Sequence, residues 1–155
     1  MALLQPLLSH LLVRWVHVLG MAALFGGAVL VWGVLRLDEA SEDPPAGLRV
    51  AATYEWLFWA GLGLLVLTGV GNLGSMAPAI PGPETRWGAA FATKLLGVFG
   101  LLIGSLIRTL GVVGVRSRRA SRLSPRVFLR LRAGYAATAV LLLSIVALAE
   151  VLAHG

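Results

Sequence analysis

The chain of 155 residues lacks cysteine altogether and has little charge, since only 13% of its residues are Asp, Glu, Lys or Arg. The absence of cysteine excludes disulfide bonds, thiolate metal sites and cysteine nucleophiles. About a quarter of the residues of a soluble domain are charged, whereas here 58% of residues are hydrophobic and the mean hydropathy is +0.87. This composition predicts an integral membrane protein of one domain, residues 1–155, whose main partner is the lipid bilayer.

Four apolar segments are long enough to cross a bilayer, which takes about 20 residues of helix. They cover residues 7–35, 50–73, 87–115 and 133–153. The stretches between them carry proline, charge or both, and none of them belongs in hydrocarbon. The sequence therefore predicts an all-α fold, a single bundle of four transmembrane helices. The opening MALLQPLLSHLLVRW lacks a positive n-region and a cleavage site, so the first segment is expected to stay in the protein.

The third linker, RSRRASRLSPRVFLRLR, sets the predicted orientation because it is strongly basic and contains no acid. Its arginines are Arg116, Arg118, Arg119, Arg122, Arg126, Arg130 and Arg132. Cytoplasmic loops are rich in Lys and Arg, so both termini are expected on the outer, periplasmic side of a bacterial inner membrane. An anionic-lipid or nucleic-acid site is the alternative interpretation. Topology already explains the arginines, and no nucleic-acid partner is expected.

Ionisable groups inside a span are costly, so each is a candidate functional residue. The first span carries two histidines, an arginine and a methionine at a 4-3-4 spacing on one helix face: His10, Arg14, His17 and Met21. On the fourth span, Glu150 and His154 also share a face. At 1.5 Å per residue, His17, Lys94 and Glu150 lie roughly 26–31 Å from the inner ends of their helices. Polar groups from three spans are therefore expected to converge in the outer third of the membrane.

These residues also have structural interpretations. Lys94 and Arg14 can extend to the outer headgroups, Glu150 can balance a neighbouring cation, and Met21 can belong to the core. His10 and His154 lie near the chain ends, where interfacial histidines are common. Two further charges, Glu55 and Arg108, are expected at the membrane interface on the inner side. Gly100 and Gly104 form a GxxxG pair, which predicts close helix packing.

A b-type haem is the cofactor that this set of residues favours. Two imidazoles can ligate a haem iron from opposite faces, and the interior of a helix bundle is a common setting for such a cofactor. His17 with either His154 or His10 would provide the axial pair. Arg14 or Lys94 would then neutralise a haem propionate near the outer surface.

Copper is the alternative cofactor, because histidine and methionine are suitable copper ligands. His17 and Met21 are four residues apart on one face, and His10 or His154 would add a further ligand. The sequence has only three methionines and no tract rich in methionine and histidine. Neither ligand pattern is specific by itself.

Three segments resemble known membrane families. WVHVLGMAALFGGAVLVW is similar to the first span of the copper-resistance D (CopD) superfamily and of the related four-helix, haem-b protoporphyrinogen oxidases of the HemJ type. WAGLGLLVLTGVGNLG resembles the second CopD-type span, and RWGAAFATKLLGVFGLLIG resembles the span that carries a lysine in both groups. The resemblance implies that His17 and Lys94 occupy the positions tied to haem binding. AVLVWGVLRLDEA, after the glycine pair, differs from the oxidases, so the resemblance implies cofactor binding rather than their reaction.

Three hypotheses follow from the sequence. The first is a b-type haem protein that carries electrons or acts as a small membrane oxidoreductase, with a redox partner at the outer face. The second is a CopD-like copper-binding or copper-transport protein. The third is a non-catalytic membrane scaffold whose charges only set topology. A homodimer is compatible with each of them.

Overall fold

The computed structural model describes residues 4–38, 46–74, 81–117 and 125–154, and all regular structure in these ranges is helical. The helices are α1 (Leu4–Asp38), α2 (Ala46–Gly74), α3 (Arg86–Ser117) and α4 (Pro125–His154). Each of them contains a stretch that is long and apolar enough to cross a membrane. The prediction of an all-α protein with four membrane-length helices is therefore confirmed.

The helices form a bundle in which neighbours along the chain are neighbours in space. Helix α1 packs against α2 and α4, α3 packs against α4, and α2 and α3 have the smallest contact of these four. A Cβ atom at Gly97 would contact Ile145, and one at Gly111 would contact Leu131, so α3 and α4 are antiparallel. One end of the bundle contains the starts of α1 and α3 and the last residues of α2 and α4, and we call it the terminal end. The opposite end is the arginine end.

The core is a narrow stripe on each helix, because lipid covers the remaining surface. On α1 the buried positions are Leu24, Ala28, Val31 and Leu35, which repeat at the 4-3-4 spacing of one helix face. The large side chains between them, such as Leu30, are exposed. Lipid tails are as apolar as leucine, so close van der Waals packing rather than the hydrophobic effect holds these stripes together.

The α1–α2 contact depends on Gly27. A Cβ atom at this position would overlap the ring of Tyr54, with its Cδ2 atom only 2.7 Å away. Because glycine leaves this space free, the edge of the ring packs against α1 and the Tyr54 hydroxyl donates a 2.7 Å hydrogen bond to the Leu24 carbonyl. The missing side chain thus fixes how closely the first two helices approach.

The GxxxG pair of α3 does not pack as the sequence suggested. Gly100 and Gly104 are exposed, and among the described residues no atom of another helix lies within 4 Å of a Cβ built at either one. The prediction that this pair brings α3 against a neighbour within the bundle is wrong. The GxxxG spacing matches one helix face, but only the rotation of the helix decides whether that face points inward or to lipid.

Helix α4 begins at Pro125, well before residue 133, where its apolar run starts. Proline is favoured in the first helical turn because it lacks an N–H group, which would have no partner there. Phe128 and Leu131 extend the core stripe of α4 into this region and are buried. Arg126 and Arg130, expected in a linker, therefore lie on a helix.

Candidate functional site

A groove between α1 and α4 near the terminal end gathers several of the predicted site residues. It encloses about 360 Å³. Its lining includes the polar or sulfur-containing side chains His17, Met21, Lys94 and Glu150, and apolar side chains such as Phe25 and Val146. The three helices expected to converge at this level therefore do meet in one groove.

His17 is held in one orientation by α2. Its Nδ1 atom lies 2.7 Å from Thr68 Oγ1, and the Thr68 hydroxyl donates its single proton to the carbonyl of Leu64 at 2.8 Å. With the Thr68 proton in that intrahelical bond, Nδ1 carries the hydrogen and donates it to Thr68, and this is the tautomer that we assign to the ring. The other ring nitrogen, Nε2, then keeps its lone pair and makes no hydrogen bond to any side chain in the described ranges.

The groove continues the core stripe of α1. His17 and Met21 precede Leu24 and Ala28 at the same spacing, and both are half-buried. Lys94 is also half-buried, whereas Glu150 is exposed at the lip of the groove and has an interaction partner. The inward face of α1 thus changes from apolar at Leu24 to polar at His17.

The remaining predicted site residues lie elsewhere or outside the described part. Arg14 is exposed and lines a separate, neighbouring groove on α1 with Trp15 and Val18. His10 precedes His17 by two turns on α1, and His154 follows Glu150 by one turn on α4. The side chains of His10 and His154 lie outside the part of the chain that the structure describes.

The donor chemistry of the groove fits one side of a b-type haem. A haem iron takes a neutral imidazole nitrogen as axial ligand. Metal-binding histidines usually donate their second N–H to a neighbouring acceptor, which fixes the ring, and His17 does so to Thr68. Lys94 provides a cation for a propionate, and the walls are apolar. For copper, the described residues contain no cluster of three His, Cys, Asp or Glu side chains.

A second polar site lies deeper in the bundle, toward the arginine end. Glu55 and Arg108 are 5% and 4% exposed, so the expectation that they lie at the membrane interface is wrong. Arg108 Nε donates to Glu55 Oε1 at 2.7 Å, and Nη2 donates to Oε2 at 3.1 Å. The two side chains form a bidentate ion pair between α2 and α3.

Each oxygen of the Glu55 carboxylate has two hydrogen-bonding neighbours. Besides the two bonds from Arg108, Tyr135 donates to Oε1 at 2.7 Å and the Thr109 hydroxyl is bonded to Oε2. Arg108 also donates from Nη1 to the Thr138 hydroxyl. The network therefore links α2, α3 and α4. Because both charges are paired and bonded, the network satisfies the requirement for burying ions.

Aromatic rings surround the guanidinium. The Arg108 Cζ atom lies 4.5 Å from the ring centroid of Phe58 and 4.8 Å from that of Tyr135. Trp59 donates to Thr109 at 2.9 Å and extends the network. The core spacing could have located this site, since Glu55 lies beside Ala51 and Phe58 on the inward face of α2.

Comparisons of this chain with protein-family models, with curated proteins and with solved structures find no match.

Proposed function

We propose that this protein binds a b-type haem in the α1–α4 groove and acts in electron transfer or as a small membrane oxidoreductase. The observation that carries the proposal is the His17 ring, whose Nδ1 lies 2.7 Å from Thr68 Oγ1 and whose Nε2 has no hydrogen bond to a side chain in the described ranges. Lys94 in the same groove is suited to a propionate. The second axial ligand in this proposal is His154 or His10. The haem would supply one-electron chemistry, and the protein residues hold and orient it.

The proposal includes the resemblance to the CopD-like superfamily and the orientation predicted from the basic third linker. Both termini would lie outside a bacterial inner membrane, which places His17 and Lys94 near the outer face and a redox partner there. The strong basicity of the third linker supports this topology. A homodimer belongs to the same proposal, since Gly100 and Gly104 leave an open small-residue surface on α3.

A visible absorption spectrum of the detergent-purified protein, oxidised and then dithionite-reduced, tests the proposal directly. A Soret band with sharp reduced α and β bands is expected for a low-spin haem with two axial ligands. A colourless protein from cells with adequate haem supply would contradict it.

Substitution of His17 tests the ligand. We expect His17→Ala to lose the cofactor or to convert it to a weakly held, high-spin form, because the iron loses an axial nitrogen. Val18→Ala is the matched control, since the neighbouring Val18 lines the same groove but carries no donor atom. Full haem occupancy with an unchanged spectrum in His17→Ala would exclude His17 as the ligand.

Thr68→Val removes the acceptor that orients the His17 ring while keeping the shape of the side chain. Loss of such an outer partner typically lowers metal affinity by about 10- to 100-fold, so haem titration should show a weakened Kd of that order. The control is Thr53→Val, because the Thr53 hydroxyl donates only within its own helix, to the Arg49 carbonyl. Equal Kd values for the two variants would mean that the Thr68 bond does not support binding.

Copper binding is the second candidate function, and Met21 is the observation that favours it. Met21 lines the same groove as His17, so a thioether and an imidazole are both available there. A third ligand would have to come from His10 or His154. Metal analysis of the purified, colourless protein would separate copper binding from a scaffold without a cofactor.

A further inference from the structure

The arginine end carries most of the net charge of the chain. Nine arginines and four carboxylates belong to residues 36–49 and 116–132, whereas the whole chain has a net charge of +6. The carboxylates are all in the α1–α2 part of this end, and seven of the arginines are in the α3–α4 part. The charge is therefore strongly segregated toward the α3–α4 hairpin.

Three of these arginines, on α3 and α4, lie at similar levels along the bundle axis. Gly111 of α3 faces Leu131 of α4. Arg116 is five residues after Gly111, and Arg126 is five residues before Leu131. Because the two helices are antiparallel, the two arginines lie at one level along the bundle. Arg130 is one turn deeper on the same face of α4 as Arg126, and all three side chains are exposed.

The described part of the chain gives these arginines no carboxylate partner. The ion pair in the described ranges joins Glu55 to Arg108, and the Asp38 carboxylate accepts a hydrogen bond from the Gly47 amide. The first turn of α4 contains no acidic residue. An anion at this end would therefore meet guanidinium groups that none of the described carboxylates neutralises.

Local electrostatics also favour an anion at the start of α4. Arg126 and Arg130 are four residues apart on one helix face, where like charges repel. Both lie near the helix N-terminus, whose dipole is positive and disfavours cations. The α3 end has the opposite arrangement, since Arg116 lies in its last turn. An anion bound at Arg126 and Arg130 would offset this repulsion within α4.

The surroundings match a lipid rather than a dissolved anion. The apolar span of α3 ends at Ser117, and that of α4 begins at Pro125. The arginines therefore lie at the boundary between hydrocarbon and headgroups. Leu129, between Arg126 and Arg130 in the chain, is 58% exposed and offers an apolar contact at the same level. A partner with an anionic head and hydrocarbon tails is complementary to both features.

We propose that the α3–α4 hairpin at the arginine end binds an anionic phospholipid. Arg126 and Arg130 hold its phosphate, and exposed Leu129 contacts its acyl chains. Guanidinium groups suit this role because their N–H groups match phosphate oxygens in pairs. This binding site is independent of the cofactor in the α1–α4 groove.

Lipid competition measured by native mass spectrometry tests the inference. The full chain is equilibrated in mixed micelles with equal amounts of phosphatidylglycerol and phosphatidylcholine, and the retained lipids are counted by mass. The wild type is expected to retain phosphatidylglycerol preferentially. In the double variant Arg126→Gln/Arg130→Gln, the ratio of retained phosphatidylglycerol to phosphatidylcholine is expected to fall about fivefold for each arginine removed. Neither substitution touches the buried core, so folding should be preserved.

The control is Arg14→Gln/Arg86→Gln, which lowers the net charge equally but at the terminal end. Arg86 is a close match for Arg126, since it is exposed in the first turn of α3. The control should keep the wild-type preference. Equal retention of both lipids by the wild type would overturn the proposal. So would an equal loss of preference in the two double variants, because the effect would then follow net charge alone.

Discussion

Arg108→Met is expected to lower the free energy of unfolding by about 3–5 kcal/mol, because it leaves the Glu55 carboxylate buried without its cation. Tyr135 would still donate to that carboxylate, but a neutral donor does not balance its charge. The loss should be measurable as a shift in the denaturant midpoint of the detergent-solubilised protein. Arg116→Met is the control, since Arg116 is an exposed arginine of the same helix.

The double variant Glu55→Met/Arg108→Met is expected to recover most of that stability. Replacing both members of a buried ion pair by apolar side chains is often neutral or stabilising, because the desolvation penalty disappears with the charges. A double variant as unstable as Arg108→Met would show that the pair itself, rather than the unpaired charge, determines the stability. It would also mean that the α2–α3 contact, the smallest of the four helix contacts described above, depends on these bonds.

Gly27→Ala is expected to cost about 1–3 kcal/mol, the usual effect of overpacking a tight contact. The added methyl group would overlap the Tyr54 ring, and the ring cannot move away without losing the hydrogen bond to Leu24. The neighbouring Gly26 provides a matched control, because a Cβ atom there has no contact within 4 Å among the described residues. Gly26→Ala should change stability by no more than about 0.5 kcal/mol.

Thermal or denaturant unfolding of the two glycine variants measures this difference. Equal stabilities would mean that α1 and α2 do not approach as closely as the Tyr54 contact requires. If Gly27→Ala lost both stability and cofactor, the Tyr54 contact would also support the cofactor site. Leu24 accepts the Tyr54 hydrogen bond and lies on the same face of α1 as Met21 and His17. The contact would therefore also fix the position of His17 along the bundle axis.

The bundle contains two polar levels with different chemistry. At the deeper level, Glu55 and Arg108 are neutralised by each other and fully bonded, which suits a role in holding helices together. At the terminal end, His17 is oriented on one side and has a nitrogen lone pair on the other. This difference explains why the groove, and not the more deeply buried ion pair, is the better candidate for binding a cofactor.

The sequence by itself determined the four helices and the polar stripe of α1. Apolar runs of sufficient length and the linkers between them are local properties, and a 4-3-4 spacing places His17 and Met21 on one face whatever the helix packs against. The convergence of His17, Lys94 and Glu150 could also be predicted, because antiparallel helices of similar length bring residues at equal depth to one level.

Only the tertiary structure decided which faces of the helices meet. Glu55 and Arg108 are 53 residues apart in the chain, and their pairing depends on the rotation of α2 and α3 about their axes. The same rotation turned Gly100 and Gly104 away from the bundle. In lipid almost every face of these helices is apolar, so hydrophobicity does not distinguish the inward face. Close packing and the pairing of buried charges make that choice, and both require all four helices in place.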